Sequence, residues 1–274
     1  MNAILMDRSK FRKIENEDIS KVNLNMEDKI NHQIRRLKKN NIISEVVYND
    51  LFASGSSPSI MYGLPKVHKQ GVSVSPLLAT FKAPSCKLAK YLIKFIGQLT
   101  NNQYTINNSY EFKEQISSME FAEEVFVASF DVTSLFTNVP VRETVDIVLG
   151  SLYENEEMIC GMTRNQFKKL LELCVNDNHF IFSQEHYMQH EGFAMGSPLS
   201  APMANLFLCH HEVKWLNDCP ERFKPLVYRR YVVDTFLVFK KREHIDEFCD
   251  YLNGKHPNIK FTKEYENENK LSFF

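Results

Sequence analysis

The sequence predicts an α+β fold in which a small antiparallel sheet is backed by helices. Two observations predict the sheet: residues 125–130 form a short β-prone run, and residues 228–240 alternate in character as a hairpin does. A third observation predicts the helices, because apolar residues recur at helical spacing in several other stretches. With 274 residues, of which 43% are hydrophobic, the chain can bury one large core or two smaller lobes.

Five stretches carry the helical pattern. Residues 25–43 predict a basic amphipathic helix, because Ile30 and Ile34 fall on one face among Arg and Lys residues. Thr163 and Gln166 stand at the spacing of a capping box and mark the start of another helix. That helix extends over residues 163–175, and the remaining predicted helices lie at residues 87–99, 141–152 and 201–209. Residues 180–188 predict a further pair of strands.

Two aspartates stand in matching contexts at the ends of predicted strands. Asp131 directly follows the strand at 125–130, and Asp234 lies near the turn of the hairpin at 228–240. Hard divalent cations prefer carboxylate oxygens, and nucleotidyl transfer uses two such cations held close together. An aspartate after a strand is more often a turn former or a helix cap, so neither residue is diagnostic by itself.

Charge is distributed unevenly along the chain, although the formal net charge is only -1. Residues 51–110 contain no Asp or Glu but include six lysines, namely Lys66, Lys69, Lys82, Lys87, Lys90 and Lys94. An acid-free basic block is a candidate phosphate-facing surface. Chance clustering of lysines on a solvated face is the alternative.

Nothing in the sequence predicts a membrane span or a zinc site. The apolar run at 91–99 is short and interrupted by Lys94, so we expect an intracellular protein, with the nucleus included among its locations. The six cysteines form no C-x-x-C pair. Cys209 and Glu212 flank two histidines, but adjacent residues on a helix point in different directions, which favours a structural role.

Five stretches occur in a recognisable order. They are Tyr62-Gly-Leu-Pro-Lys-Val-His-Lys69, Ser129-Phe-Asp-Val-Thr-Ser-Leu-Phe-Thr-Asn-Val-Pro140, Gly192-Phe-Ala-Met-Gly-Ser-Pro-Leu-Ser200, Arg230-Tyr-Val-Val-Asp-Thr-Phe236 and His256-Pro-Asn-Ile-Lys-Phe-Thr262. In these stretches the chain resembles the reverse transcriptase domain of Penelope-like retroelements. The resemblance covers almost the whole chain, and five ordered motifs are more specific than any one of them.

This resemblance implies the fingers and palm of a right-hand polymerase, with an antiparallel palm sheet backed by helices. It implies an N-terminal helical arm at 1–55 and a reverse transcriptase domain at 56–274. Within that domain the expected fingers are residues 56–120 and 141–188, and the expected palm is residues 121–140 and 189–274. We expect the thumb and the endonuclease domain of such proteins to be absent.

The resemblance also assigns roles to individual residues. It makes Asp131 and Asp234 the catalytic, metal-binding acids for two Mg²⁺ or Mn²⁺ ions, and Phe136 a steric gate against the ribose 2'-hydroxyl, with a purely structural ring as the alternative. Its nucleotide-binding residues are Lys66, Lys69, Phe136, Gln189, Gly196, Ser197 and Pro198. Lys260 or Lys263 is a candidate proton donor to pyrophosphate. The implied partners are an RNA template, a DNA primer and deoxynucleoside triphosphates.

Two positions depart from the family pattern. Val233 stands where the family's Tyr-x-Asp-Asp motif carries its first acid, and Ser75 stands where an arginine would hold the triphosphate. On an extended strand, Asp234 would face away from the position of Val233 and could not replace the lost acid. We therefore expect weakened metal binding and polymerisation reduced by several orders of magnitude.

Three functional interpretations stay open at this point. The chain is an impaired reverse transcriptase, a catalytically inactive nucleic-acid-binding remnant, or a relic of the element without a function. Asp131 and Asp234 favour the first, and the acid-free lysine block favours the second. The altered motif favours the third.

Overall fold

The computed structural model describes residues 2–14, 19–65, 74–176, 178–268 and 270–271. It confirms the predicted α+β class. From the N-terminus the elements are α1 (Asn2–Leu5), β1 (Phe11–Lys13), α2 (Ile19–Lys39), α3 (Glu45–Leu51), β2 (Ser59–Pro65), β3 (Val74–Ala79), α4 (Cys86–Ile96) with a 3-10 turn (Gly97–Leu99), and α5 (Ser109–Ser117). They continue with β4 (Phe126–Val132), α6 (Leu135–Asn138), α7 (Val141–Leu152), β5 (Met158–Ile159), β6 (Met162–Thr163), α8 (Arg164–Val175), β7 (Asn178–Phe182), β8 (Glu185–Gln189), α9 (Ser200–Asn217), β9 (Val227–Tyr231), β10 (Asp234–Phe239), α10 (Glu243–Asn253) and β11 (Phe261–Tyr265).

The chain divides into two compact units. Unit 1 comprises Met1–Leu99 and Phe136–Ala204, and unit 2 comprises Thr100–Leu135 and Asn205–Phe274. In the described ranges, no helix combines the length and the apolar character that crossing a membrane requires.

Unit 1 is built on a five-stranded sheet in the order β1-β8-β7-β2-β3. All neighbouring strands are antiparallel except β2 and β7, which are parallel. Helices α2, α4 and α7 all contact α8. One hydrophobic cluster of the unit consists of Leu5, Phe11, Met61, Leu78, Phe180 and Ala194. It joins residues from the N-terminus, the sheet and the glycine loop before α9.

Residues 1–55, for which we predicted an N-terminal helical arm, contain helices α1, α2 and α3 and also strand β1, and they belong to unit 1. Strand β1 pairs with β8, with Phe11 opposite Gln189. Residues 100–120, predicted as fingers, belong to unit 2, and residues 189–204, predicted as palm, belong to unit 1. Pairing between segments so distant along the chain leaves no local pattern from which sequence reasoning could place these boundaries.

Local signals predicted some helices to the residue and others less well. The ranges of α7 and of the helix after Thr163 are confirmed, and Thr163 and Gln166 form the predicted reciprocal capping box. Helix α9 runs to Asn217, well beyond the predicted end at residue 209. Much of α9 is buried on several sides, so no single apolar stripe marked its full length.

Unit 2 is built on a four-stranded antiparallel sheet in the order β11-β4-β10-β9. Helix α10 covers one face, where the ring of Phe248 stacks on the ring of Phe130 with centroids 6.1 Å apart. Side chains alternate between the two faces of a strand. Asp131, which follows Phe130, therefore faces away from α10.

Candidate active site

Asp131 and Asp234 lie directly opposite each other on the neighbouring strands β4 and β10. Residues in register on antiparallel strands project from the same face of the sheet. The N–H of Val132 donates to the carbonyl of Val233 at 3.3 Å, which makes Asp131 and Asp234 a pair without direct backbone hydrogen bonds. Side chains approach most closely in such pairs. The structure thus brings the two predicted acids together on one face.

The turn before Asp234 consists of Val232 and Val233, because Tyr231 on β9 pairs with Asp234 on β10. The φ angle of Val232 is +53°, whereas Val233 has no positive φ. A positive φ at the first central position of a two-residue hairpin turn favours glycine. A β-branched residue there is strained.

The turn differs from the extended strand that we predicted here, on which Val233 and Asp234 would face opposite sides. Val233 lies in the turn and Asp234 is the first residue of β10, so strict alternation does not apply between them. Asp234 shares a face with Asp131 even though its neighbour is valine.

A buried arginine supports this turn from the helix-covered side of the sheet. Arg230 is fully buried, and its Nη1 donates to the carbonyl of Val232 at 2.8 Å and to Oδ1 of Asn205 at 2.6 Å. Its Nε and Nη2 donate to the two carboxylate oxygens of Glu212, the second at 3.1 Å. The backbone of the turn is thereby tied to helix α9.

Glu212 completes this buried network and receives two further hydrogen bonds. The hydroxyl of Tyr228 donates to it at 2.7 Å, and the amide of Asn102 donates at 3.2 Å. Burial lowers the pKa of Arg230, but the charge of Glu212 and its hydrogen bond outweigh this effect and raise that pKa overall. Burial, followed by the charge of Glu212, raises the pKa of Tyr228 well above its ordinary value. The guanidinium of Arg230 therefore stays charged at neutral pH.

Sequence reasoning missed the role of Arg230 and Glu212. The available signal was the position of Arg230, two residues after Tyr228 in the alternating hairpin and hence on the same, inward face. The structural interpretation of Cys209 and Glu212 fits the structure, since both contact Arg230. Across the described parts of the chain, no three His, Cys, Asp or Glu side chains are grouped for a metal ion.

The two lysines considered as proton donors have other partners. Lys263 lies opposite Phe130 on β4, so its side chain projects from the face away from Asp131 and bonds Asp246 of α10. The amine of Lys260 donates to the carbonyl of Asn253 at 2.7 Å. This arrangement does not support Lys263 as a donor on the face of the acidic pair.

In unit 1, the glycine loop before α9 is packed tightly against strand β3. The N–H of Leu78 donates to the carbonyl of Met195 at 2.7 Å, and the hydroxyl of Thr80 donates to the carbonyl of Gly196 at 2.8 Å. Gly196 has a φ of +109°, and a Cβ at this position would overlap the carbonyl oxygen of Leu78. Only glycine fits there without a shift of the backbone.

Phe136 lies beside the start of the same loop. The N–H of Phe193 donates to the carbonyl of Phe136 at 2.6 Å. Gly192, with a φ of +72°, packs so closely that a Cβ would lie 2.6 Å from the carbonyl oxygen of Thr137. Unit 1 therefore groups the steric-gate candidate Phe136 with the loop that contains Gly196, Ser197 and Pro198.

The remaining predicted residues have different outcomes. Gln189 is only 2% exposed and its amide donates to the carbonyl of Glu191 at 3.0 Å, which does not fit a direct contact with a nucleotide. Ser75 lies on β3 opposite Leu64, which is 47% exposed. Lys66 and Lys69 lie outside the described residues.

The fold, with a palm-type antiparallel sheet that bears two facing carboxylates, is similar to that of telomerase reverse transcriptase and of viral RNA polymerases. No protein-family model matches the sequence. Over 134 residues the chain is 28% identical to the telomerase reverse transcriptase of Oryza sativa subsp. japonica. That match covers 45% of this chain and 10% of the rice protein.

Solved structures show the same fold at low sequence identity. Candida albicans telomerase, in a complex with a fragment of telomeric RNA, superposes with a TM-score of 0.56 at 11% identity, over 79% of this chain and 44% of that one. The RNA-dependent RNA polymerase of BmCPV in its elongation state gives a TM-score of 0.52 at 12% identity, over 96% of this chain and 25% of that one. The chain thus spans less than half the length of each of these relatives.

Proposed function

We propose that the chain is the reverse transcriptase domain of a Penelope-like retroelement, an RNA-directed DNA polymerase that acts inside the cell. The observation that carries this proposal is the direct opposition of Asp131 and Asp234 on one face of the palm-type sheet. The likeness to telomerase reverse transcriptase and to a viral RNA polymerase supports the class of reaction.

The acidic pair fits a divalent cation on the chemistry of its donors. Like charges directly opposite each other on a sheet are destabilising, and a bound cation would offset this repulsion. Asp131 and Asp234 would hold Mg²⁺ or Mn²⁺, which would supply charge stabilisation at the transferring phosphoryl group. Two carboxylates are a small ligand set for two cations, so we propose that metal binding is weakened.

The proposed nucleic-acid and nucleotide partners rest on unit 1 and on the relatives. The ring of Phe136 is the candidate steric gate against the sugar of a deoxynucleoside triphosphate. Gly196 has no side chain, so its backbone suits close contact with the sugar and base of the same nucleotide. The Candida albicans telomerase was solved in a complex with a fragment of telomeric RNA, which supports RNA as a partner. A DNA primer completes the proposed substrate.

We attribute impaired catalysis to Val233 and to Ser75. Val233 places an apolar side chain in the turn where the resembled family carries a carboxylate. Ser75 offers a hydroxyl, which cannot reproduce the bidentate, charged contact of an arginine with a triphosphate. If the loss of one such ligand raises the activation free energy by several kcal/mol, the rate falls by roughly two or more orders of magnitude.

Primer extension on an RNA template with Mg²⁺ or Mn²⁺ tests the proposal. The proteins compared are the parent chain, Asp131→Ala, Val233→Asp and the matched control Val232→Asp, which adds the same charge one residue earlier in the turn. We expect little or no extension by the parent, a gain with Val233→Asp, and no gain with Val232→Asp. Efficient extension by the parent that survives Asp131→Ala would contradict the assigned site.

A second candidate function is nucleic-acid binding without polymerisation. Lys87, Lys90 and Lys94 are exposed and follow each other on one side of α4, with spacings of three and four residues. Phosphate contacts make affinity fall with salt by a slope of about 0.9 per contact on duplex DNA. Replacement of all three by Gln should reduce that slope by up to about three. An unchanged slope would remove this candidate.

A further inference from the structure

Unit 1 contains a polar pocket of about 230 Å³ that no part of the proposed polymerase chemistry uses. It lies among α2, the start of α4, the end of α8 and the strands β7 and β8. The lining residues that bear on its chemistry are Arg12, Asn23, Lys29, Ser85, Asn176 and His179. The volume exceeds that of one water molecule, which occupies about 30 Å³ in the liquid.

Asn23 is a buried polar side chain with an unused donor in this pocket. It is only 8% exposed, and its Oδ1 contacts Nδ1 of His179 at 3.2 Å. Its amide nitrogen has no hydrogen-bond partner in the described part of the chain. A buried donor without an acceptor is costly, so the amide of Asn23 is suited to an acceptor that enters the pocket.

His179 fixes the orientation of this amide. Its Nε2 contacts Nδ1 of His186 at 2.9 Å, so the two ring nitrogens of His179 bridge Asn23 and His186. Burial and the neighbouring His186 lower the pKa of His179 to about 4, and the ring is therefore neutral at pH 7. With the proton on Nδ1, His179 donates to Oδ1 of Asn23 and turns the amide donors away from itself.

The electrostatic surroundings favour an anion as the acceptor. Arg12 and Lys29 line the pocket, and no Asp or Glu is present among its described lining residues. Residues 83 to 85, directly before α4, also line it, and this helix has no acid in its first turn. Ser85, its N-cap residue, makes no capping bond with its side chain. The N-terminus of a helix attracts anions through its free N–H groups and dipole.

We propose that this pocket binds a phosphate group, with the Asn23 amide as its buried donor. The phosphate belongs either to the backbone of a nucleic-acid strand or to a free phosphate ion. The first source connects the pocket to the proposed function of the chain, whereas the second does not depend on it. Neither source involves Asp131 or Asp234.

The test compares the parent with Asn23→Asp, which keeps the shape of the side chain but replaces the donor by a negative charge. Asn49→Asp, at an exposed position of α3, is the matched control for net charge. Inorganic phosphate is titrated while the side-chain amide signals are followed by ¹⁵N NMR. A fluorescent single-stranded 12-nucleotide RNA is titrated in parallel by anisotropy.

The side-chain amide signal of Asn23 is recognised because it is missing in Asn23→Asp, and we expect phosphate to shift it in the parent. We also expect the affinity for phosphate to fall about tenfold or more in Asn23→Asp but not in Asn49→Asp. A parallel fall in RNA affinity identifies the nucleic-acid backbone as the source, and unchanged RNA affinity identifies free phosphate. Lys29→Gln, at an exposed position, repeats the test if Asn23→Asp does not fold. An amide signal that phosphate does not move, or equal affinities in all variants, overturns the proposal. Failure of the polymerase proposal is recognised separately, by primer extension with Asp131→Ala.

Discussion

The guanidinium of Arg230 donates to the carbonyl oxygen of Val232 at 2.8 Å, and this bond joins a fully buried ion pair to the turn that precedes Asp234. Glu212 holds the other side of the guanidinium and is itself only 1% exposed. The position of Asp234 opposite Asp131 therefore depends on packing beneath the sheet as well as on the hairpin.

Breaking this buried ion pair should destabilise the protein strongly. In Arg230→Met the carboxylate of Glu212 would stay buried without its counter-ion, and we expect a loss of about 3–5 kcal/mol in the free energy of unfolding. Urea denaturation measures this loss. The double variant Arg230→Met with Glu212→Leu should lose less than the single variant, because no uncompensated charge remains. A double variant as unstable as the single one would contradict this account.

Gly196 should not tolerate a side chain. Its φ of +109° and its close approach to the carbonyl of Leu78 predict that Gly196→Ala lowers stability by about 2 kcal/mol or more. Gly150→Ala is the control, since Gly150 lies in α7 with open space at its Cβ position. That change should stabilise by about 0.5–1 kcal/mol. Thermal unfolding of both variants tests this prediction. Equal unfolding midpoints for Gly196→Ala and Gly150→Ala would contradict the tight packing of the glycine loop.

The strain at Val232 predicts a stabilising substitution. Val232→Gly removes the β-branched side chain from a position with a φ of +53°, and we expect a gain of about 1 kcal/mol. Val233→Gly serves as the control at the second turn position, where no positive φ exists. It should be neutral or destabilising. An equal gain in stability in both variants would contradict the assignment of the strain to Val232.

Stability should fall in mild acid because of His179. Its pKa is lowered to about 4 in the folded protein, compared with an ordinary value of 6.5, so the unfolded chain binds the proton first. The stabilisation is thus complete above about pH 6.5 and is lost as the pH falls towards 4. After allowance for partial exposure we expect a loss of about 1–2 kcal/mol. Urea midpoints at pH 7 and pH 4.5 should move further in the parent than in His179→Gln, and equal movement would exclude this cause.

Local signals explain which elements were predictable. Helix α8 begins where Thr163 and Gln166 form their capping box, an interaction within four consecutive residues. Strand β4, which contains Asp131, and the hairpin that contains Asp234 follow from apolar runs and alternation. The extended α9 and the pairing of β1 with β8 were not predictable, because burial on several sides and contacts between distant segments leave no local period.

The sequence by itself determined the α+β class, the helices with clear periodicity, and the two acids that the candidate site uses. Only the tertiary structure decided that Asp131 and Asp234 share one face, that Val233 lies in the turn, and that Arg230 holds this turn from beneath. The physical reason is the range of the interactions. Capping and periodicity act within a few residues, whereas strand register and buried ion pairs join residues that only folding brings together.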